Sequence, residues 1–176
     1  MNEEYQVSAE EDSSRQVEAL AMKLFEDVLG PQGQVLGLKD EDIVAPDLAG
    51  LIRDPENVVA TVSDGEKVTG FSVAVPIGKF NPERASESAD TAYVYLTGIE
   101  PNKQGQGEVG PLMKNLTDEL KRQGYSFLER DCVLTQGYAD KVGKAYEGAI
   151  IEQHDHTRWP EVGPERFSRI DLSKVA

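Results

Sequence analysis

The chain has 176 residues, of which 39% are hydrophobic, and a formal net charge of -14 at pH 7. That size predicts a single domain spanning residues 1–176, and the short apolar runs and the N-terminus, which lacks an export signal, lead us to expect a cytoplasmic protein without membrane contacts. The negative charge argues against nucleic-acid partners and would attract a cationic one, although it equally suits solubility in a salty cytoplasm.

Hydrophobic periodicity and turn residues predict alternating helices and strands. The clearest local signals are a capping box formed by Ser13 with Gln16 and a hairpin turn at Asp64-Gly65. In chain order the sequence predicts a strand at 5–7, a helix from 13 to 30, a helix within 42–53, strands at 57–62 and 68–75, an exposed loop at 78–90, a strand at 92–99, a helix at 111–123, a strand starting at 125–128, a loop at 133–138, a helix at 139–147, and strands at 149–151 and 167–172.

A glycine-rich turn follows the strand at 92–99. Gly105, Gly107 and Gly110 stand between this strand and an amphipathic helix. Glycines allow a tight turn with several N–H groups pointing at one spot, and the helix start adds unpaired donors and its positive dipole end. The stretch therefore predicts a cradle for a phosphate-bearing ligand. Lys103 either adds positive charge there or is a solvated loop lysine.

The spacing of the glycines is compatible with a dinucleotide-binding fingerprint. Gly105, Gly107 and Gly110 spell G-x-G-x-x-G, and Glu129 and Asp131 follow about 20 residues later. However, five residues separate the strand from the first glycine, and too little chain follows Gly110 for the further strands and helices of that fold. A nicotinamide-dinucleotide binder is therefore the less favoured alternative.

The run Ile99-Glu100-Pro101, followed by Gln104-Gly105-Gln106-Gly107, resembles the acetyl-CoA-binding motif of the GNAT superfamily of N-acetyltransferases. The order of elements is also similar to that of the GNAT fold. The family's last glycine would fall at Val109, but here it stands at Gly110. The resemblance implies an α/β (α+β) fold with a mixed, mostly antiparallel central sheet, flanked by helices and splayed at the cofactor site.

The resemblance also implies how acetyl-CoA, as co-substrate and without a metal, would be bound. Backbone groups around Thr97 and Ile99 would contact the pantetheine arm. The pyrophosphate would lie on the amides of Gln104, Gly105, Gln106, Gly107, Glu108, Val109 and Gly110.

The implied reaction is direct transfer of an acetyl group to a primary amine, either of a small molecule or of a protein. Tyr146 lies in a run resembling the family's final helix, where a tyrosine is the usual acid, and its ordinary pKa of about 10 keeps it protonated at neutral pH. Glu100 is the candidate base. Tyr93, Tyr95 and Asp131 are further candidates, and proximity alone can supply much of the acceleration.

The sequence offers two other candidate sites, a histidine-containing segment and a single cysteine. His154-Asp155-His156 has no further Cys or His to complete a zinc site, and Cys132, the only cysteine, is interpreted as a small hydrophobic residue. The displaced third glycine and an early Gly148 also allow a catalytically silent acyl-CoA-binding or sensor module. Nothing in the sequence indicates the oligomeric state or which amine is the acceptor.

Overall fold

The computed structural model describes residues 9–24, 47–134, 137–158, 160 and 163–175. These residues form one six-stranded sheet with helices on both faces. In chain order the elements are α1 (Ala9–Leu24), α2 (Leu48–Arg53), β1 (Val58–Asp64), β2 (Lys67–Pro76), α3 (Ile77–Phe80), β3 (Thr91–Ile99), α4 (Val109–Arg122), β4 (Phe127–Val133), α5 (Tyr138–Ala145), β5 (Ile150–His156) and β6 (Glu165–Asp171), with short 3-10 helices at Pro82–Glu87, Pro101–Lys103 and Leu172–Lys174.

The strands follow the spatial order β1-β2-β3-β4-β6-β5. The β3–β4 pair is parallel and the other four pairs are antiparallel, which confirms the predicted mixed, mostly antiparallel sheet. A central cluster packs α4 and α5 against the sheet through residues such as Leu116, Leu128 and Ile170, each 0% exposed. A second cluster joins α1 and α2 to the sheet around Phe71 and Val73.

Several predicted boundaries shift in the structure. α1 begins at Ala9, before Ser13, and the Gln16 side chain accepts a 2.8 Å hydrogen bond from Val68 N instead of closing a capping box. The predicted loop at 78–90 contains a 3-10 helix, and α4 begins two residues before the predicted start. The predicted strand at 5–7, the end of the first helix and the first part of the 42–53 helix lie outside the described residues.

β5 is longer than predicted because pairing overrides its polar sequence. Its residues from Glu152 to His156 are polar and indicate a loop locally, whereas β4 agrees with the predicted strand to within two residues at its start and ends at Val133, where the loop was predicted. Both strands are held by β6, which pairs with β4 along its whole length and with β5 on its other edge. Pairing with β6 therefore determines how far β5 extends, since β preference depends strongly on tertiary context.

β3 and β4 pair at only one end. Thr91–Tyr93 pair with Phe127–Glu129, and no pairing between the two strands follows beyond that point. On its other edge β3 has a register shift against β2, because Val73 pairs with Leu96 and Ala74 with Val94. Tyr95 is therefore the extra residue of a bulge, which bends a strand locally. The two strands consequently diverge toward the glycine-rich turn, as the predicted splay requires.

Candidate functional site

The gap between the diverging strands is a cavity of about 190 Å³. Its walls come from one stretch of each strand together with the first residue of α5. The lining residues are Val94, Tyr95, Leu96, Thr97, Arg130, Asp131, Cys132, Val133 and Tyr138. Backbone groups of a splayed strand edge have no strand partner, so they are available to a ligand that enters the gap. We call this space the splay cavity.

A second cavity, of about 250 Å³, lies between the end of β3, the glycine-rich turn and α5. It is lined by Thr97, Ile99, Gln104, Gly105, Val109, Tyr138 and Lys141. We call it the cradle cavity. Thr97 and Tyr138 line both cavities, so the two spaces adjoin along one side of β3.

The turn itself has the backbone geometry that glycine permits. Gly105 and Gly107 have φ values of 79° and 89°, in the left-handed region, and the space where their side chains would project is open. In the described part of the chain, the amides of Gly105, Gly107, Glu108, Val109 and Gly110 have no backbone acceptor. Exposed, unpaired amides at the start of a helix are suited to bind an anion.

Gly110 differs from the other two glycines of the motif. Its φ is not positive, and it lies inside the first turn of α4, just before Pro111. Pro111 has no N–H and therefore leaves no donor unsatisfied at this position. The cradle consequently depends on the left-handed conformation of Gly105 and Gly107 and not on that of Gly110.

The remaining predicted cofactor residues are fixed by local hydrogen bonds. The Thr97 hydroxyl lies 2.9 Å from that of Ser72, and Gln104 Nε2 donates to the Ile99 carbonyl at 3.1 Å. The Gln106 side chain donates to the Asn102 carbonyl. The carbonyl of Ile99 is thus already partnered by Gln104. The amides of Gln104 and Gln106, predicted to bind the diphosphate, instead donate to the carbonyls of Pro101 and Lys103 at 3.3 Å each.

Two charged side chains beside the turn have partners in β2 and the preceding hairpin. Glu108 accepts a 2.8 Å hydrogen bond from the Thr69 hydroxyl, which holds this carboxylate at the start of α4. Lys103 forms a 2.6 Å ion pair with Asp64 in the hairpin, and this bond raises the pKa of the lysine. Lys103 is therefore tied to the hairpin, while Lys141 lines the cradle cavity.

Glu100 and Tyr146 occupy places apart from both cavities. Glu100 pairs with Lys67 at 2.6 Å, and this hydrogen bond lowers the pKa of Glu100; its carboxylate lies in a groove between α1 and β2. Tyr146 is 3% exposed, and its hydroxyl lies 3.1 Å from that of Thr117 in α4. Burial raises the pKa of Tyr146, so this phenol holds its proton strongly. Neither residue lines a cavity described above.

Tyr138 is a tyrosine that the sequence analysis did not single out. It begins α5, lines both cavities and accepts a 2.8 Å hydrogen bond from Arg130 Nη2. Lys141 follows three residues later in the same helix. Residues three apart share a helix face, so the spacing of Tyr138 and Lys141 was the available signal.

Asp131 is the buried carboxylate of the splay cavity. Its side chain is 4% exposed and accepts hydrogen bonds from Tyr93 Oη at 2.7 Å and Arg158 Nη2 at 2.9 Å. His156 Nε2 lies 2.6 Å from its other oxygen. Burial, followed by the bond to Asp131, raises the pKa of Tyr93, which makes this phenol a poor base. Tyr95, another of the candidate bases, is 49% exposed at the bulge.

The single cysteine behaves as the sequence analysis expected of a small buried residue. Cys132 is 5% exposed, and burial raises the pKa of its thiol, which disfavours the nucleophilic thiolate. In the part of the chain that the structure describes, no group of three metal-ligating side chains comes together. Among the same residues, no helix combines the length and apolarity that a membrane span requires.

Elsewhere on the molecule there is a groove larger than either of these cavities. A groove of about 950 Å³ lies between α1, α2 and the C-terminal end of α4. Arg53 and Arg122 in this groove are already paired with Glu18 and Glu119. The two smaller cavities carry the unpaired backbone amides and the splayed strands, so the chemistry favours them as the site.

Comparisons with known proteins identify the fold. A Salmonella typhimurium protein solved with its cofactor acetyl-CoA has 15% identity and a TM-score of 0.63, over 93% of this chain and 92% of that one. An aminoglycoside 6'-N-acetyltransferase from Enterococcus faecium has 14% identity and a TM-score of 0.56, over 92% and 91%. Tetrahymena GCN5 has 16% identity and a TM-score of 0.52, over 96% and 93%. No protein-family model and no curated sequence matches this chain.

Proposed function

We propose that this chain, which has the fold of the GNAT acetyltransferases, transfers an acetyl group from acetyl-CoA to a primary amine. The observation that carries the proposal is the joint geometry of β3, β4 and the turn. The strands separate after three paired positions, and the opened edge adjoins a turn with five unpaired amides. Thioester and diphosphate would then occupy adjoining spaces, the splay cavity and the cradle cavity.

The residues of the cradle would hold the diphosphate through backbone amides, assisted by Lys141. The open space at Gly107 is what a bound phosphate would need, because a side chain there would fill it. Bound in this way, the co-substrate supplies an activated acyl group. The chain's own residues align it with the amine, and alignment alone is a large part of such catalysis.

We assign the proton donor for the departing sulfur to Tyr138, because it lines both cavities whereas Tyr146 lines neither. Arg130 donates to the Tyr138 oxygen and would stabilise the phenolate that remains after proton transfer. The acid role of Tyr146 stays a prediction, since its hydroxyl lies 3.1 Å from that of Thr117 in the buried core.

We assign the proton acceptor for the amine to Asp131. This carboxylate lines the splay cavity, and His156, 27% exposed in its side chain, offers a path for the proton toward solvent. Glu100, the other candidate, is held by Lys67 in a groove apart from both cavities. A small amine is the acceptor we favour, since two proteins with similar folds are named as aminoglycoside acetyltransferases.

Calorimetry with CoA, acetyl-CoA and NAD tests the binding part of the proposal. We expect CoA and acetyl-CoA to bind and NAD not to bind. Gly107→Leu should weaken CoA binding at least tenfold, because the side chain would occupy the diphosphate site. Gly124→Leu is the matched control: Gly124 also has a left-handed φ, of 91°, with open space, but lies at the far end of α4.

Release of free thiol from acetyl-CoA, measured with a panel of aminoglycosides, polyamines and peptide amines, tests the reaction. Turnover with at least one amine is expected. Tight CoA binding without turnover on any amine would favour the sensor hypothesis. Binding of NAD but not of CoA would instead establish the dinucleotide hypothesis.

A further inference from the structure

Arg130 is a buried cation that has no carboxylate partner among the described residues. The residue is 2% exposed, and its guanidinium donates a hydrogen bond to the Tyr138 hydroxyl and lies 5.0 Å from the centroid of the same ring. Its Nε is buried and has no acceptor. Tyr138, Cys132 and Tyr146 are its polar neighbours, and none of them is a carboxylate. An arginine stays charged at any pH that a protein tolerates.

The residues on either side of Arg130 in β4 differ from it, because both have partners of opposite charge. Glu129, 1% exposed, binds Arg84 and Arg169 at 2.7 Å each, and Asp131 binds Arg158 at 2.9 Å. Alternate residues of a strand point to opposite faces, so Glu129 and Asp131 share the face that these cations cover, whereas Arg130 points to the other. Every buried charge of this stretch of β4 except that of Arg130 is neutralised within the described residues.

An unpaired charge is costly to bury, since desolvation removes water that nothing replaces. Arg130 lines the splay cavity, where the proposed function places the acyl end of the thioester. The cavity, about 190 Å³, holds roughly six water volumes of about 30 Å³ and is therefore suited to a short acyl chain. A carboxylate at the end of such a chain would supply the counter-charge that the described residues do not supply to Arg130.

We propose that Arg130 binds the terminal carboxylate of a short dicarboxylic acyl-CoA, such as malonyl- or succinyl-CoA. The splay cavity is then a carboxyacyl donor site that binds these thioesters in preference to neutral ones of the same chain length. The assignment rests on the proposed function. A planar guanidinium is matched to a carboxylate by its fork of donors, of which Nη2 alone is engaged within the described side chains.

The transfer step is unchanged by this assignment. The amine nitrogen forms a bond to the thioester carbonyl carbon, and the carbon–sulfur bond breaks. The sulfur takes a proton while the nitrogen loses one, so that free CoA and an amide are formed. The distant carboxylate takes no part and remains with Arg130 until the product leaves.

Calorimetry without any amine tests the assignment, because it needs no knowledge of the acceptor. Two pairs of thioesters with equal chain length separate charge from size: propionyl- against malonyl-CoA, and butyryl- against succinyl-CoA. We expect the carboxylated member of at least one pair to bind tenfold or more tightly than its neutral counterpart. Equal or tighter binding of both neutral members overturns the assignment.

Two variants test whether the preference for carboxylated thioesters depends on Arg130. Arg130→Met should reduce the preference to about twofold or less, because the apolar side chain keeps the bulk but not the charge. Arg166→Met removes an equal charge from a residue paired with Asp155 on β5, outside the site, and should keep the preference of the wild type. A preference that survives in Arg130→Met, measured on protein shown to be folded by circular dichroism, also overturns the assignment.

Measuring CoA release as well as binding distinguishes a failure of this inference from a failure of the proposed function. If no thioester binds, both fail. If neutral and carboxylated thioesters bind alike but release CoA with an amine, only the assignment of Arg130 fails, and its charge acts instead on a group common to all donors, such as the departing sulfur. If Arg130→Met fails to fold, the wild-type pairs alone decide.

Discussion

At the scale of single residues, the site depends on which tyrosine faces the ligand. Tyr146 occupies the position that sequence resemblance favours, but its ring is buried and its hydroxyl points to Thr117. Tyr138, eight positions earlier, stands at the junction of the two cavities with Arg130 at its oxygen. Proton donation to sulfur requires access to the splay cavity, and this criterion favours Tyr138.

Replacement of each tyrosine by phenylalanine tests this choice. Tyr138→Phe should lower kcat ten- to a hundredfold with at most a small change in KM for acetyl-CoA, because general acid catalysis is typically worth that much or more. Tyr146→Phe, which removes only the bond to Thr117, should change kcat less than threefold. The reverse order of effects, in steady-state kinetics on folded variants, would return the acid role to Tyr146.

At the scale of elements, β4 contributes residues from both of its faces to the site, and ion pairs anchor it. Glu129 binds Arg84 from the 3-10 helix at Pro82–Glu87 and Arg169 from β6. These bonds hold β4 at the last position where it still pairs with β3, since Glu129 is the partner of Tyr93. The splay thus begins just after this anchored position, while Asp131 beyond it is held by Tyr93 and Arg158.

Glu129→Ala should destabilise the protein by about 3–5 kcal/mol, because it leaves two arginines facing a buried, uncharged site. Glu87→Ala is the matched control. Glu87 also binds Arg84, at 2.7 Å, but its side chain is 39% exposed, so its removal should cost about 1 kcal/mol or less. Urea unfolding measures both values. Equal losses for the two variants would show that burial of Glu129 is not what makes it stabilising.

At the scale of the whole molecule, the charge of -14 acts on stability. Like charges spread over the surface repel one another in the folded state, and dissolved salt screens this repulsion over about 10 Å at 0.1 M. The same charge would oppose the approach of nucleic acid and would favour the approach of cationic amines to the site.

Thermal unfolding should therefore respond to salt. We expect Tm to rise by several degrees between about 0.02 M and 0.5 M KCl, with most of the rise below about 0.2 M, where screening changes most. NaCl serves as the control for a specific ion, because screening depends on ionic strength alone. A Tm that falls over this range would mean that the salt-bridge network outweighs the general repulsion.

The sequence by itself determined the glycine-rich turn, the hairpin, most of the strands and the order of elements. These features follow from local physics: Gly105 and Gly107 permit φ values that other residues avoid, and apolar periodicity marks what must be buried. The polar end of β5 escaped detection because its strand conformation comes from pairing with β6.

Only the tertiary structure decided which side chains meet. The sheet order brings His156 of β5 to Asp131 of β4 across β6, although 25 positions separate the two residues along the chain. The packing of α5 beside β4 similarly places Tyr138 on Arg130 and turns Tyr146 into the core. Such contacts depend on how elements pack in space, and no local pattern in the sequence encodes that arrangement.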